Sequence, residues 1–446
     1  MHGAAAAPQI LFGFNPMIAT TVILIATYVA IMTERMNRSI VALLGAGVMI
    51  IIGALDQEEA VRGIDFNTIA LLIGMMILVA ITRKCGVFQY VAILSTQWVK
   101  ANPAGVLAML SLVTAVFSAF LDNVTTVLLV APVTLAIARE LEIPPYPLLF
   151  AEIFASNIGG TATLIGDPPN ILIGSMVDLS FNDFVYNLTP VIVVVLAVQM
   201  LMIHLLWGRD MRTDPARRAR VMAMRPAESI TDWRLLKQSL SVLVVVMVAF
   251  VLARPLHLEP GSIALLGAAV LLFLDNLGLS PEAQSERATQ AYNEVEWITI
   301  FFFVGLFVVV HGVEVAGVLK WLADQLLVAT GGDLSKTVLS ILWASAILSA
   351  IVDNIPFVAT MIPLIKAMAP AFGGPEGLMP LWWSLSLGAC LGGNGTLIGA
   401  SANLTVAGIA ERNGVPFRFV TYMKYAFPMM LVSIVISHVY IWWRYL

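Results

Sequence analysis

Long runs without a charged side chain decide what this chain can fold into. The stretches 188–207 and 298–310 contain no Asp, Glu, Lys or Arg. A membrane-spanning helix needs about 20 mostly apolar residues, and runs of this kind recur along the chain. Only 12% of the 446 residues are charged and 59% are apolar, against roughly 25% charged in a soluble domain. Such a composition cannot cover a water-facing surface, which excludes a soluble enzyme and a disordered chain. A net charge of −4 gives no basic footprint for nucleic acid. A β-barrel would need alternating segments of about ten residues instead of continuous runs. The fold class expected is an all-α polytopic membrane protein. Two cysteines, Cys85 and Cys390, make no disulfide framework or thiolate metal site. The first 15 residues hold no Lys or Arg. The apolar run from Pro16 therefore reads as a retained first span, not a cleaved signal peptide.

Ten spans are expected: 16–32, 39–54, 66–82, 146–176 (interrupted), 188–207, 239–253, 262–276, 297–313, 378–410 (interrupted) and 424–443. Two further apolar stretches, 104–138 and 336–369, are each broken in the middle by Asp-Asn. These read as re-entrant helical hairpins, with interfacial helices at 86–98 and 317–328 leading into them. The arrangement places 18 Lys and Arg on one side and 6 on the other. The rich side is then cytoplasmic, and both termini are extracytoplasmic in the cell (inner) membrane. The segment 208–238 carries eight of the cations and divides a first half, 1–207, from a second, 239–446. It reads as a basic cytoplasmic linker and the place for any soluble partner. The other partners expected are the lipid bilayer and a small inorganic solute or ion, with a homodimer left open and no nucleic acid.

The halves repeat each other. Ser118, Ala119, Asp122, Asn123 and Pro132 match Ser349, Ala350, Asp353, Asn354 and Pro363 at an offset of 231. Gly74 and Gly86 match Gly305 and Gly317 in the same way. After two inserted residues, Gly159-Gly160 and Thr163-Leu-Ile-Gly166 match Gly392-Gly393 and Thr396-Leu-Ile-Gly399, and Asn170 matches Asn403. Each half holds five spans and one hairpin. Five is odd, so the repeats are expected to be inverted, an architecture of secondary transporters whose broken helices meet near the midplane.

Two constellations carry chemistry. The first is the pair of hairpin tips, Asp122-Asn123-Val124-Thr125-Thr126 and Asp353-Asn354-Ile355-Pro356. A carboxylate at membrane depth is costly unless it is paired or solvated, and so marks function. Helix capping is the structural alternative. The second is the pair of interruptions: Asn157, Gly159, Gly160, Thr161, Thr163 and Asn170 around Asp167-Pro168-Pro169, and Gly392, Gly393, Asn394, Thr396, Ser401 and Asn403. Unwound carbonyls there can hold a cation, and half-helix N-termini can face a substrate oxygen. Asp167 has Ala400 as its counterpart. Pseudo-symmetric scaffolding does not demand an acid there, so Asp167 is the expected proton-coupling carboxyl. Glu152 reads equally as a proton relay or a caged structural acid. His311 and Glu314 read as interfacial, and Cys390 as a small buried apolar group.

At these motifs the chain resembles the ion transporter superfamily. The string from Ser118 to Gly174 is similar to the ArsB/NhaD-type permease branch, which includes arsenite efflux permeases, Na⁺/H⁺ antiporters and the P protein. The resemblance implies a non-enzymatic transporter without a cofactor, coupled to H⁺ or to Na⁺. It also implies that the ion and substrate sites are shared between the tips and the interruptions. Dicarboxylate transporters of the superfamily carry Ser-Asn-Thr at both tips. Here the Ser position is Asp122 and Asp353, and Asn-Ile-Pro at the second tip departs from that pattern. With Asp122, Asp167 and Asp353 central and no Lys or Arg expected beside them, a dianion is disfavoured. Proton-coupled arsenite or antimonite efflux ranks first, Na⁺/H⁺ antiport second and organic anion transport third. A passive channel and an intramembrane aspartyl protease are remote.

Overall fold

The computed structural model of the chain describes residues 13–33 and 35–446. The expected extracytoplasmic N-terminus lies outside the described residues. Numbering the longer helices only, the first half runs α1 (Pro16–Met32), α2 (Arg38–Ile51), α3 (Phe66–Lys84), α4 (Val87–Trp98), α5 (Pro103–Phe120), α6 (Asn123–Leu141), α7 (Pro145–Thr161), α8 (Pro168–Val177) and α9 (Phe181–Ile203). A short α10 (Pro215–Ala223) lies in the connection. The second half runs α11 (Trp233–Val251), α12 (Pro260–Asn276), an added polar α13 (Pro281–Asn293), α14 (Trp297–Val315), α15 (Val318–Thr330), α16 (Leu334–Ile351), α17 (Asn354–Ala367), α18 (Met379–Gly392), α19 (Ser401–Arg412) and α20 (Phe419–Tyr445). Eight helices among the described residues are long and apolar enough to cross a membrane.

Local chemistry explains the boundaries. Asn15 and Asn102 cap α1 and α5, each followed by Pro at the first helical position. The span expected from 188 begins at Phe181, because a Ser180–Asp183 capping box starts the helix in polar sequence. The expected 208–238 linker is correspondingly shorter. The helix continues from α9 through a π-turn to Gly208, and Asp232 caps α11. Arg234 and Lys237 of α11 point outward, so their charge does not break the helix.

Packing crosses between the halves. A Cβ on Gly74 of α3 would sit 2.5 Å from the Ala264 carbonyl carbon of α12. A Cβ on Gly305 of α14 would sit 2.5 Å from the matching carbon of Ala42 on α2. Each half thus lends its second helix to the other half's third. The hairpins show the same reciprocity. α5 lies on α7 and α16 lies on α18, while α6 lies on α19 and α17 on α8. Gly159 and Gly392 bring α7 and α18 against the backbones of Ala115 and Ala346. Lys366 ties the base of the second hairpin to the Met176 carbonyl at the end of α8, and Arg139 ties the first to Asn413 beyond α19.

Candidate functional site

The two interruptions are built alike. After α7 the chain leaves the helix at Ala162 and re-enters at Pro168, whose ring and missing N–H cannot extend a helix. The Asn170 amide donates to the carbonyls of Thr161 and Thr163, and the Asn403 amide to those of Gly393 and Thr396. Thr163 and Thr396 donate to the carbonyls of Ala119 and Ala350 at the hairpins. Ser118 and Ser349 donate to those of Ser156 and Ala389. Gly160 and Gly393 lie against Gly166 and Gly399 of their own interruptions. Thr161 returns its hydroxyl to the Asn157 carbonyl. These residues satisfy the backbone that the interruptions expose, as buried polar groups require.

What faces the centre is a smaller set. A void of about 20 Å³, enough for one water or a bare cation, is lined by Asp122, Asn123, Asp167, Asn354 and Ser401, with Arg38, Glu296 and Thr299. Asn123 donates to Asp167 Oδ1 and to Asn157 Oδ1, both at 3.2 Å, and Asn354 reaches the same Asp167 oxygen at 3.5 Å. The Asn157 amide donates to Asn394 at 2.9 Å and to Asn403 at 2.8 Å. Cys390 holds the place equivalent to Asn157, and its thiol lies 3.6 Å from Asn170. Each half therefore reaches the other's interruption from the same position.

The three aspartates differ in what holds them. Asp122 Oδ1 accepts the Thr125 N–H at 2.8 Å and Asp353 Oδ1 accepts the Ile355 N–H at 3.1 Å, each capping its returning helix. Asp167 occupies the cap position of α8 but its side chain makes no capping bond: Pro168 and Pro169 have no N–H, and the Asn170 N–H goes to the Asp167 carbonyl. It is wholly buried with the Cys390 thiol beside it, and among the described residues its Oδ2 has no hydrogen-bond partner. Both tips address this carboxyl, and one of its oxygens is left free for an ion or a proton.

Arg38 corrects the expectation of a centre without a cation. Its guanidinium donates to Asp353 Oδ2 at 3.0 Å, Ser401 Oγ at 2.7 Å and Thr299 Oγ1 at 3.2 Å, and lies 5.0 Å over the Phe302 ring. The side chains of Arg38 and Asp353 are 25% and 17% exposed. Both face a cavity of about 280 Å³ also lined by Met32, Met36, Ser401 and Leu404. On the other flank a second cavity of about 280 Å³ holds Thr125 and Glu296, with the Arg83–Glu294 ion pair at 2.5 Å. The Thr126 hydroxyl is buried without a hydrogen-bond partner among the described residues. His311 and Glu314 pair with each other at 3.2 Å at the partly exposed end of α14.

Sequence reasoning missed Arg38, Glu296 and Thr299. Glu296 and Thr299 could have been found, since Asp65 and Thr68 stand 231 residues earlier and make the same acid–hydroxyl contact.

The sequence profile of a family described as "Citrate transporter" matches residues 28–388. An uncharacterized transporter of Mycobacterium tuberculosis is 42% identical over 432 residues, 96% of this chain and 98% of that one. The human P protein is 34% identical over 514 residues, covering 95% of this chain and 60% of its own length. Among solved structures, the Alcanivorax borkumensis YdaH transporter aligns with a TM-score of 0.62 at 12% identity, over 96% of this chain and 98% of that one. That last likeness is one of fold.

Proposed function

Since this chain belongs to the citrate transporter family, we propose that it is a secondary active transporter that couples solute movement to protons at Asp167 by alternating access. It is a multi-span membrane transporter of that family; the coupling and the substrate are our reading. The single observation that carries it is Asp167, wholly buried, addressed by both hairpin tips and left with one unpartnered oxygen. The reciprocal glycine contacts and twin interruptions support two inverted repeats with re-entrant hairpins, as in transporters of this kind. The motif string supports the ArsB/NhaD-type branch, and the distribution of cations supports a cytoplasmic 209–232 segment with the termini outside. A cysteine at Ser229 is then shielded from an impermeant thiol reagent added outside intact cells; labelling there reverses the orientation.

The substrate ranking changes with Arg38. Disfavouring an anion depended on a centre free of cations, and Arg38 stands in the open cavity with Ser401 beside it. A guanidinium is suited to a carboxylate, so an organic carboxylate, with citrate as the first test, is the reading the geometry supports best. The inner void favours a second reading, arsenite or antimonite efflux, because its three carboxylates, Asp122, Asp167 and Glu296, outnumber Arg38 and suit a neutral solute or a cation. Na⁺/H⁺ antiport is third. Proteoliposomes carrying a pH gradient, tested with citrate, succinate, As(III), Sb(III), Na⁺ and Li⁺, separate these. Citrate flux that follows the gradient supports the first reading. Flux of As(III) without citrate replaces it with the second. Flux indifferent to the gradient removes proton coupling.

A further inference from the structure

Glu152 lies apart from the central void, on α7 between its start at Pro145 and Asn157. It is wholly buried. Thr134 of α6 donates its hydroxyl to Glu152 Oε1, and among the described residues Oε2 has no hydrogen-bond partner. Arg139 and Glu140 on α6, Asp183 on α9, Cys390 on α18, and Glu411 and Arg412 on α19 lie on helices packed against α7. None of these bonds to Glu152 among the described residues. An acid so placed is costly as a bare carboxylate.

The other half shows what packing alone requires at this place. Leu385 on α18 is the counterpart of Glu152, at the same 233-residue offset as Asn157 and Cys390. Ile365 on α17 is the counterpart of Thr134 at the 231-residue offset. Both are fully buried. The equivalent positions are thus a buried Leu and a buried Ile in one half and a hydrogen-bonded Glu–Thr pair in the other. Along α6 polar side chains continue from Thr134 toward the centre. Thr126, whose buried hydroxyl lacks a partner, lies two turns along α6 from Thr134, where the second half has Phe357. One turn further is Asn123, bonded to Asp167. Along α7, Asn157 follows Glu152 by five residues, about 7.5 Å of helix.

We propose that Glu152 is a second proton-carrying carboxyl, which passes protons between the α6–α7 junction and Asp167. In the step, the Glu152 carboxylic acid gives up its proton along the Thr126 seam and the Asp167 carboxylate receives it. The Glu152 carboxylate is then reprotonated from the junction side. The proposal rests on proton coupling at Asp167, and its test keeps the two apart.

Glu152→Gln preserves shape and an acceptor for Thr134 but cannot ionise. The first arm is infrared spectroscopy of purified protein titrated across the neutral range. Wild type is expected to show a protonated-carboxyl C=O band that disappears reversibly as pH rises and is absent in Glu152→Gln. A Glu152 band that never titrates, or no such band, overturns the proposal whatever the substrate. The second arm is flux with citrate and As(III) as probes. Gradient-driven flux in Glu152→Gln is expected to fall roughly a hundredfold, the low end of what a positioned proton carrier contributes. Exchange at equal pH, which moves no net proton, is expected to stay within about twofold of wild type, a small part of that effect. Full driven flux, or an equal fall in exchange, overturns it. Wild-type flux indifferent to pH removes the coupling at Asp167 and the relay with it, whereas pH-driven wild-type flux that Glu152→Gln leaves intact removes the relay alone. If Glu152→Gln folds poorly, the pair Glu152→Leu with Thr134→Ile copies the packing of the other half. That pair is expected to fold and to exchange, and to lose only the gradient-driven flux.

Discussion

The two hairpin tips carry the same Asp-Asn pair, and in both the aspartate caps its returning helix while the asparagine reaches Asp167. From there they diverge. Among the described residues Asp122 makes no ion pair, and it lines the void together with Glu296. Asp353 gives its second oxygen to Arg38, which Ser401 and Thr299 also hold. A repeated backbone thus carries two sets of partners: the first tip's aspartate faces the void beside Glu296, and the second tip's is paired with Arg38. The asymmetry comes from the partners delivered to each tip, since the tips themselves match. Arg38 begins α2, whereas the equivalent helix α12 begins at Pro260, which has nothing to donate.

The most damaging way to break this comparison is to remove the acid that both tips share. Asp167→Asn is expected to abolish gradient-driven flux, a loss of a hundredfold or more, roughly the contribution of a positioned proton carrier. Folding, followed by thermal melting, should hardly change. Full coupled flux in this variant would transfer the role to Asp122. Next comes Arg38→Gln, which acts on the second tip alone. It leaves Asp353 half-buried without its cation and is expected to cost about 2 kcal/mol, less than a fully buried pair because both side chains keep some water. The apparent KM for citrate should rise at least tenfold, roughly 1.4 kcal/mol. Adding Asp353→Asn should restore most of the melting temperature but not the KM. Recovery of both would mean that Arg38 only neutralises Asp353.

Smaller effects sharpen the contrast. Asn123 makes two bonds at 3.2 Å and Asn354 one at 3.5 Å. Asn123→Ala should therefore destabilise by about 1–2 kcal/mol, and Asn354→Ala by about 0.5 kcal/mol or less. Equal losses in denaturation would show that the tips share Asp167 evenly. The smallest effect is expected for Asp122→Asn. Asn caps a helix about as well as Asp, so stability should move by about 0.5 kcal/mol or less, while Asp353→Asn costs more by losing its ion pair. The reverse order in melting temperature would contradict the assignment of Arg38 to the second tip.

The helices, their breaks at Asp-Asn and the interruptions were legible because each is written in consecutive residues. Asp-Pro-Pro stops a helix wherever it falls, and a hydropathy run needs no partner to be seen. The asymmetry of Asp167 was legible too, through its alignment with Ala400. Arg38 was not, because its role is a contact across 315 residues. At the polar edge of a span it is indistinguishable from the loop cations that signal orientation. Division of labour within the motifs was equally hidden. Asn157 and Asn170 look alike in sequence, yet one joins the central network and the other holds the backbone of its own interruption. Only the path of the chain decides which.

The exchange of second helices between the halves bears on how the molecule is made. When the ribosome has finished the first half, α3 has nothing against Gly74 and α2 has nothing against Ala42, because α12 and α14 are not yet synthesised. The first half must wait in the bilayer with those faces covered only by lipid or by a chaperone. A chain stopped early in the second half is then no half-working transporter. It is an incomplete one, with backbone-deep grooves open to quality-control proteases. Two fragments cut within 209–232 and produced in the same cell can complete each other, since each carries the helix that the other lacks.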